Sequence, residues 1–380
     1  MTSGHLDTDI VLDVDVQIHT MGGTVILDCC MCLNTEVREL KRFVQTDFGV
    51  PFGRQRLFLR GRQLRNADCM SDLFHPLSMQ LIVVEYVDDE TENFLLLRAA
   101  TRGDLAQAER ALMAPINPNV VDVDGMTPLV LAVKHGHVDM VRLVSDSMAD
   151  VNMPAGPAGE TPLHLAERFR QTAALPVLVD ARADVNAISA SGHTPLAAAA
   201  SAGHGEAVGM LCDRRADLEK GAAGHTPLLL AVRQQRLLVV HRLCRAGANV
   251  NVLGTCDETP LNHAAYGGSL FIARELCRRG ADTNMADDAG WLPLHVAAKR
   301  GDVDMVRYLG PLTQNKDNKL FIGGLTPSHI TASRNTRTQA ALALCEAGVN
   351  MNSVDQTGAT PLFTAAYNGA TDVVLSLIHI

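Results

Sequence analysis

Aromatic residues are scarce in this 380-residue chain, at 4% of the sequence with a single Trp. That scarcity, beside abundant Ala, Leu and Gly, suits short helices packed closely and joined by regular turns, and disfavours a large sandwich or barrel. Charge is thin as well, at 20%, yet hydrophobic residues make up 47% and exclude a chain disordered throughout. Long apolar runs are missing. Stretches such as 94–97 and 228–232 fall far short of the ~20 residues a membrane span requires, and residues 1–10 hold no apolar signal core. The nine cysteines are odd in number and scattered, which reads as reduced thiols and not as a secreted disulfide framework. Together these absences point to a soluble intracellular protein, cytoplasmic and/or nuclear, with no membrane partner.

Motifs that carry chemistry are missing too. No Gly-rich loop leads into Lys-Ser or Lys-Thr, and neither Gly-x-Ser-x-Gly nor His-Glu-x-x-His occurs. Cys29-Cys30-Met31-Cys32 contains a C-x-x-C, but no second pair follows at zinc-finger spacing, so core packing is the reading. No enzyme, cofactor or metal is expected. The net charge of −9 argues against nucleic acid as a general partner. It splits into −6 over residues 1–91 and −3 over the rest.

What is present is a repeat. Thr-Pro-Leu or a near variant recurs at Thr127, Thr161, Thr194, Thr226, Thr259, Leu292, Thr326 and Thr360, at spacings of 34, 33, 32, 33, 33, 34 and 34. A step held that constant needs a repeated structural unit. In each unit the Thr serves as helix N-cap and Pro takes the first helical position, where its missing N–H costs nothing. In the first copy a helix over 128–134 is broken by Gly136, and a second helix runs from about Val138 to Ser147. Later copies close at Gly247, Gly280 and Gly348, where a left-handed cap is expected.

This pattern resembles the ankyrin repeat: Asp122-Val123-Asp124-Gly125-Met126-Thr127-Pro128-Leu129 opens one copy and Ala149-Asp150-Val151-Asn152 closes it. The resemblance implies an N-terminal capping pair over 93–114 and eight copies, the last incomplete, through residue 380. Where the inter-helix Gly is replaced by Arg170, Gln235 and Asn335, or the turn Gly by Asp257, Asn and Asp tolerate left-handed backbone better than Arg and Gln, so looseness is expected near Arg170 and Gln235. His164, His295 and His329 follow the repeat's Thr-Pro step as structural hydrogen-bonders, and Cys212, Cys244, Cys277 and Cys345 read as small buried hydrophobes. The apolar end at Leu377-Ile378-His379-Ile380 is expected either to continue into a longer array or to be a sticky surface.

Ahead of the array, residues 13–21, Gly22-Gly23 and 24–29 read as a β-hairpin. A helix follows with Val37, Leu40 and Val44 as its apolar stripe, then a strand at 56–59 and a last strand over 78–87. Val16-Gln17-Ile18, Gly49-Val50-Pro51 and the run from Gln55 to Leu64 resemble the ubiquitin-like β-grasp fold. The organisation expected is an acidic tail at 1–11, a ubiquitin-like domain at 12–87, an acidic linker at 88–92 and the repeats at 93–380: an α+β multidomain chain, a small β-grasp domain followed by an all-α solenoid.

Two binding surfaces follow from these resemblances. In the ankyrin-like groove, contact slots lie just before the Thr and seven and eight residues after it. The tip slots include Glu160, Glu258 and Trp291. The helix slots hold Lys134, His135, Arg168, Phe169, Arg233, Tyr266, Lys299, Arg300, Arg334 and Tyr367, with six cations and no acid among them. Trp, Tyr and Arg dominate binding hot spots, so the groove is expected to take a protein segment that is acidic with apolar anchors. The plain alternative is that these Lys and Arg residues solvate helix ends and complement their dipoles. On the β-grasp domain, Phe58, Gln80 and Ile82 form the expected docking patch, rimmed by Arg56, Arg60 and Arg62, for a partner from the ubiquitin system. The resulting reading is a non-catalytic scaffold; the alternative is the substrate-targeting portion of a larger enzyme such as a ubiquitin ligase or kinase.

Overall fold

The computed structural model describes residues 13–19, 25–32, 37, 39–41, 44, 55–59, 62–64, 77–83, 89–221 and 224–378. Two compact units divide the chain: Met1–Gly156 with Asp180–Ala183, and Pro157–Val179 with Asp184–Ile380. The expected tail at 1–11, the turn at Gly22-Gly23 and Arg60 lie outside the described residues.

Unit 1 contains a five-stranded sheet of β1 (Asp13–His19), β2 (Val25–Cys32), β3 (Gln55–Leu59), β4 (Arg62–Gln63) and β5 (Leu77–Val83), in the order β2-β1-β5-β3-β4. β1 pairs antiparallel with β2 and parallel with β5, while β3 is antiparallel to both β5 and β4. Residues 37, 39–41 and 44 are helical, and the stripe Val37, Leu40 and Val44 is fully buried, as is Leu57 of β3. The side-chain amide of Gln55 donates to the Lys41 carbonyl at 2.8 Å, tying β3 to this helix.

The first long helix, α1 (Glu90–Arg102), starts inside the segment expected to be a linker. Asp89 is its N-cap, accepting the N–H groups of Thr91 at 2.9 Å and Glu92 at 3.3 Å. Glu90 and Glu92 occupy the first turn, where negative charge complements the helix dipole. The acids that looked like a solvated spacer therefore begin a helix. After Gly103 in the left-handed region comes α2 (Leu105–Met113).

The repeats follow as helix pairs. Unit 1 holds α3 (Pro128–His135) and α4 (Val138–Asp146). Then come α5 (Pro162–Arg168) with α6 (Ala174–Asp180), α7 (Pro195–Ala202) with α8 (Gly205–Asp213), and α9 (Pro227–Arg233) with α10 (Leu237–Ala246). The series ends with α11 (Pro260–Gly267) and α12 (Leu270–Arg278), α13 (Pro293–Arg300) and α14 (Val303–Leu312), α15 (Pro327–Ala332) and α16 (Thr338–Glu346), and α17 (Pro361–Tyr367) and α18 (Thr371–Ile378). Thr hydroxyls cap as the sequence implies: Thr127, Thr194, Thr226, Thr259 and Thr360 each accept the N–H three residues on.

Within unit 2 the first helices pack on neighbouring first helices and the second helices mainly on second helices. Leu163, Leu196, Leu228, Leu261 and Leu294 occupy one column of this stack and are fully buried, each worth about 1.5–3 kcal/mol relative to exposure. No single repeat could bury that column alone.

The departures from the repeat behave differently from one another. Arg170 and Gln235 take the left-handed conformation with φ of 57° and 56°. At Gln235 the side-chain amide donates to the Val232 carbonyl at 3.0 Å, and the side chain fills the space beside Gly267, which has no Cβ to obstruct it. Asn335 is not left-handed; it opens a 3₁₀ turn at Asn335–Arg337. That turn spans the longer gap between α15 and α16 without needing a positive φ.

Candidate functional site

In unit 2 the turn before α13 is held by Asp287, whose carboxylate accepts the N–H groups of Ala289 at 3.0 Å and Trp291 at 2.7 Å. Burial pushes the Asp287 carboxyl above its usual value, opposed by those two hydrogen bonds. The Trp291 carbonyl accepts from the Asn262 side chain of α11 at 3.1 Å, so the Trp291 backbone is fixed by the turn and by the preceding repeat. Its ring meets His295 edge-on at 6.1 Å, and the Lys299 ammonium lies 4.7 Å from its centroid, within cation–π range. One residue further, Arg300 donates to the Tyr266 carbonyl at 2.6 Å, near the C-terminal end of α11. Tyr266 itself is 67% exposed.

The structure thus brings together Tyr266, Trp291, Lys299 and Arg300. Arg233, Glu258, Asn262, His263, Tyr266 and Asp287 line the adjoining cleft of about 380 Å³. Glu258 lies 3.5 Å from His263, whose pKa burial lowers. The acid-free character of the helix slots does not extend to their surroundings. Arg168, which also lies 6.0 Å from the Phe169 ring centroid, pairs with Glu160 at 2.6 Å, and Glu258 and Asp287 face the same cleft as Arg233. Cations of the first helices and acids of the turns meet, so the surface is a mixed one with Tyr266, Lys299 and Arg300 exposed on it. Arg334 is exposed beside the 3₁₀ turn, and Tyr367 stacks on Phe363 at 6.3 Å. Lys134 and His135 are exposed at the end of α3 in unit 1, with His135 stacked on His137 at 6.2 Å.

In the sheet of unit 1, Phe58 is the register partner of Gln80 and Arg56 that of Ile82; Leu59 pairs with Arg62. Positions 56 and 58 alternate with the buried Gln55 and Leu57.

The repeat histidines are structural. Nδ1 of His164 accepts the Thr161 N–H and hydroxyl, and its Nε2 meets the His193 carbonyl at 2.9 Å. His295 and His329 make the same bridge, to Asn318 and Ala359. Asn262 makes only the carbonyl half of it, its amide donating to the Trp291 carbonyl at 3.1 Å, a substitution the sequence pattern gives no warning of. Equally unsignalled is the buried Glu167 of α5, which pairs with His204 of the next repeat beside a cleft of about 360 Å³; burial raises the Glu167 pKa against the pull of that imidazole.

Burial also pushes the thiol of Cys244 up to about 11 and raises those of Cys212 and Cys277, which disfavours reactive thiolates. Among the described residues no group of three His, Cys, Asp or Glu side chains is placed to hold a metal, and no helix is long and apolar enough to cross a membrane.

A family model described as "Ankyrin repeats (3 copies)" matches residues 96–189, 183–254 and 239–319. The mouse (Mus musculus) "B-cell lymphoma 3 protein homolog" is 33% identical over 187 residues, 47% of this chain and 41% of that protein. "Neurogenic locus notch homolog protein 1" of Xenopus tropicalis is 31% identical over 203 residues, 46% of this chain and 8% of that protein. The chain therefore spans less than half the length of these curated relatives. The crystal structure of the ankyrin repeat domain of Bcl-3 superposes with a TM-score of 0.53 at 30% identity, covering 59% of this chain and all of that one.

Proposed function

This chain belongs to the ankyrin-repeat family, and we propose that it is a non-catalytic scaffold whose repeats recognise a partner protein through the surface around Trp291. The observation that carries the reading is the grouping of Tyr266, Trp291, Lys299 and Arg300. The Trp is held by its backbone to two repeats, its ring is covered by a cation, and Tyr266 is largely exposed beside it. A pre-organised aromatic with flanking cations and little rotamer freedom to lose is a binding anchor. The partner is an extended or helical segment that is acidic with a few apolar side chains, its carboxylates meeting Lys299 and Arg300. Glu258 and Asp287 restrict those carboxylates to the α13 side of the cleft. The test is the full chain carrying Lys299→Glu and Arg300→Glu, used to capture partners from a lysate. Loss of the wild-type partners supports the reading, and an unchanged set contradicts it.

The same scaffold carries a ubiquitin-like domain in its sheet. That reading is supported by the strand order, with parallel β1 and β5 side by side and a helix after the first hairpin. Phe58, Gln80 and Ile82, with Arg56, Arg60 and Arg62, would dock a second protein, of the ubiquitin system. Phe58→Ala in the full chain should remove one set of captured partners and leave the Trp291-dependent set intact.

A further inference from the structure

The second helices of two consecutive repeats depart together from the rest. Twelve residues after the opening Thr or Leu, at the exposed N-terminal turn of the second helix, four repeats carry an acid: Asp139, Glu206, Asp304 and Asp372. An acid there complements the helix dipole and keeps the surface solvated. In α10 and α12 the same slot holds Leu238 and Phe271, 60% and 69% exposed. Seven residues further on, three earlier repeats carry Asp146, Asp180 and Asp213, whereas these two carry Arg245 and Arg278. Both helices have given up a favourable acid for an exposed hydrophobe at one end and have reversed charge at the other.

These replacements frame a groove. Between α10 and α12 lies a concavity of about 560 Å³ lined by Leu237, Leu238, Phe271, Arg274 and Arg278. The acid within it, Glu275, is buried and already engaged: it accepts from His241 at 3.0 Å and Arg279 at 3.2 Å, with Arg278 at 3.5 Å. It is thus spent on neighbours and does not oppose an incoming anion. Arg274 is steadied 5.5 Å from the Tyr308 ring centroid, and the Arg278 side chain is 77% exposed.

We infer that this groove on the second helices is a separate docking site for an acidic amphipathic peptide segment, its apolar side chains seated against Leu237, Leu238 and Phe271 and its carboxylates on Arg274 and Arg278. Charge decides among occupants. A second copy of this face would set like-charged arginines against each other, and a flat lipid surface would leave the concavity unfilled. The site differs from the Trp291 surface, which is built from first helices and turns.

The probe is a fluorescein-labelled synthetic peptide alternating glutamates with leucine and phenylalanine, titrated against the full chain by anisotropy. Saturable binding is expected. Leu238→Glu and Phe271→Asp restore the acid that other repeats hold at this slot, so both variants keep the helix start intact; each should weaken binding at least about tenfold, as should Arg278→Asp. With the Trp291 surface disabled by Lys299→Glu and Arg300→Glu, saturable binding should persist and should still be weakened by the groove variants, which separates this site from the Trp291 surface. No saturable binding, equal affinity for these groove variants, or loss of binding once Lys299 and Arg300 are replaced would overturn the inference. So would stronger retention on phosphatidylserine vesicles than of the peptide, with the same groove variants abolishing it, because the surface would then be a lipid site.

Discussion

At the residue scale the histidine column links sequence, stability and pH. His295 is fully buried, accepts the Leu292 N–H at 3.2 Å through Nδ1 and meets the Asn318 carbonyl at 2.9 Å through Nε2. Burial lowers its pKa from 6.5 to about 4, against the carbonyl hydrogen bonds that favour the cation. The unfolded chain therefore binds a proton before the folded one does. Stability should fall as pH drops from the unfolded value towards 4 and level off below it, a loss of roughly 3 kcal/mol at most. His164 and His263 are shifted by burial in the same direction. His295→Asn places at this slot the amide that Asn262 carries, which reaches the next repeat's carbonyl without titrating, so the stability of this variant from urea denaturation should fall less between these pH values than that of wild type. An equal fall would remove His295 as the cause. The structural role of these histidines was legible from their place after Thr-Pro. The role of Asn262 was not, because an amide at that slot matches no repeat signal until the Trp291 carbonyl is seen opposite it.

At the scale of elements the question is how a helix ends. Gly247 and Gly280 close α10 and α12 with φ of 98° and 90°, while Arg215 closes the α8 segment at φ 61° in the equivalent position. A side chain in this region costs about 1–2 kcal/mol, and Gly loses about 0.5–1 kcal/mol of additional backbone entropy on folding. The first term is the larger, so Arg215→Gly should stabilise by about 0.5 kcal/mol. Gly280→Ala should destabilise by about 0.5 kcal/mol, the same balance reversed, since nothing lies within 4 Å of the added Cβ to add a clash. Thermal melts of the two variants moving in the same direction would refute this. Helix starts were legible because Thr, Pro and the following N–H groups form a local device that tertiary packing does not alter. Less so were the ends: Asn335 enters a 3₁₀ turn because of an altered helix spacing, and the acids at 89–92 form a cap and first turn because a helix begins there.

At the largest scale, the repeats of unit 2 stack so that each hairpin is stabilised by its neighbours. Val373 of α18 is fully buried against Ala332, Ala341, Ala365 and Ala370. Val373→Ala should cost about 1–3 kcal/mol locally, speeding hydrogen exchange over 361–378 while leaving 227–246 protected. Uniform acceleration across both segments would mean that unit 2 opens as one cooperative body. The 33-residue step made the array legible from the sequence, and four of the residues that its slots named as candidates, Tyr266, Trp291, Lys299 and Arg300, lie on one surface of unit 2. The acids around them were harder to weigh, because Glu258 and Asp287 come from turns whose approach to α11 depends on stacking. The most direct test of the Trp291 surface places benzoylphenylalanine at Tyr266, and in a separate sample at Asp304 on the second-helix layer, with each full-length chain irradiated in cell extract. Adducts to discrete proteins from position 266, lost on adding Lys299→Glu and missing from position 304, are the predicted result. Equal adducts from both positions, or none from 266, would contradict recognition at this surface.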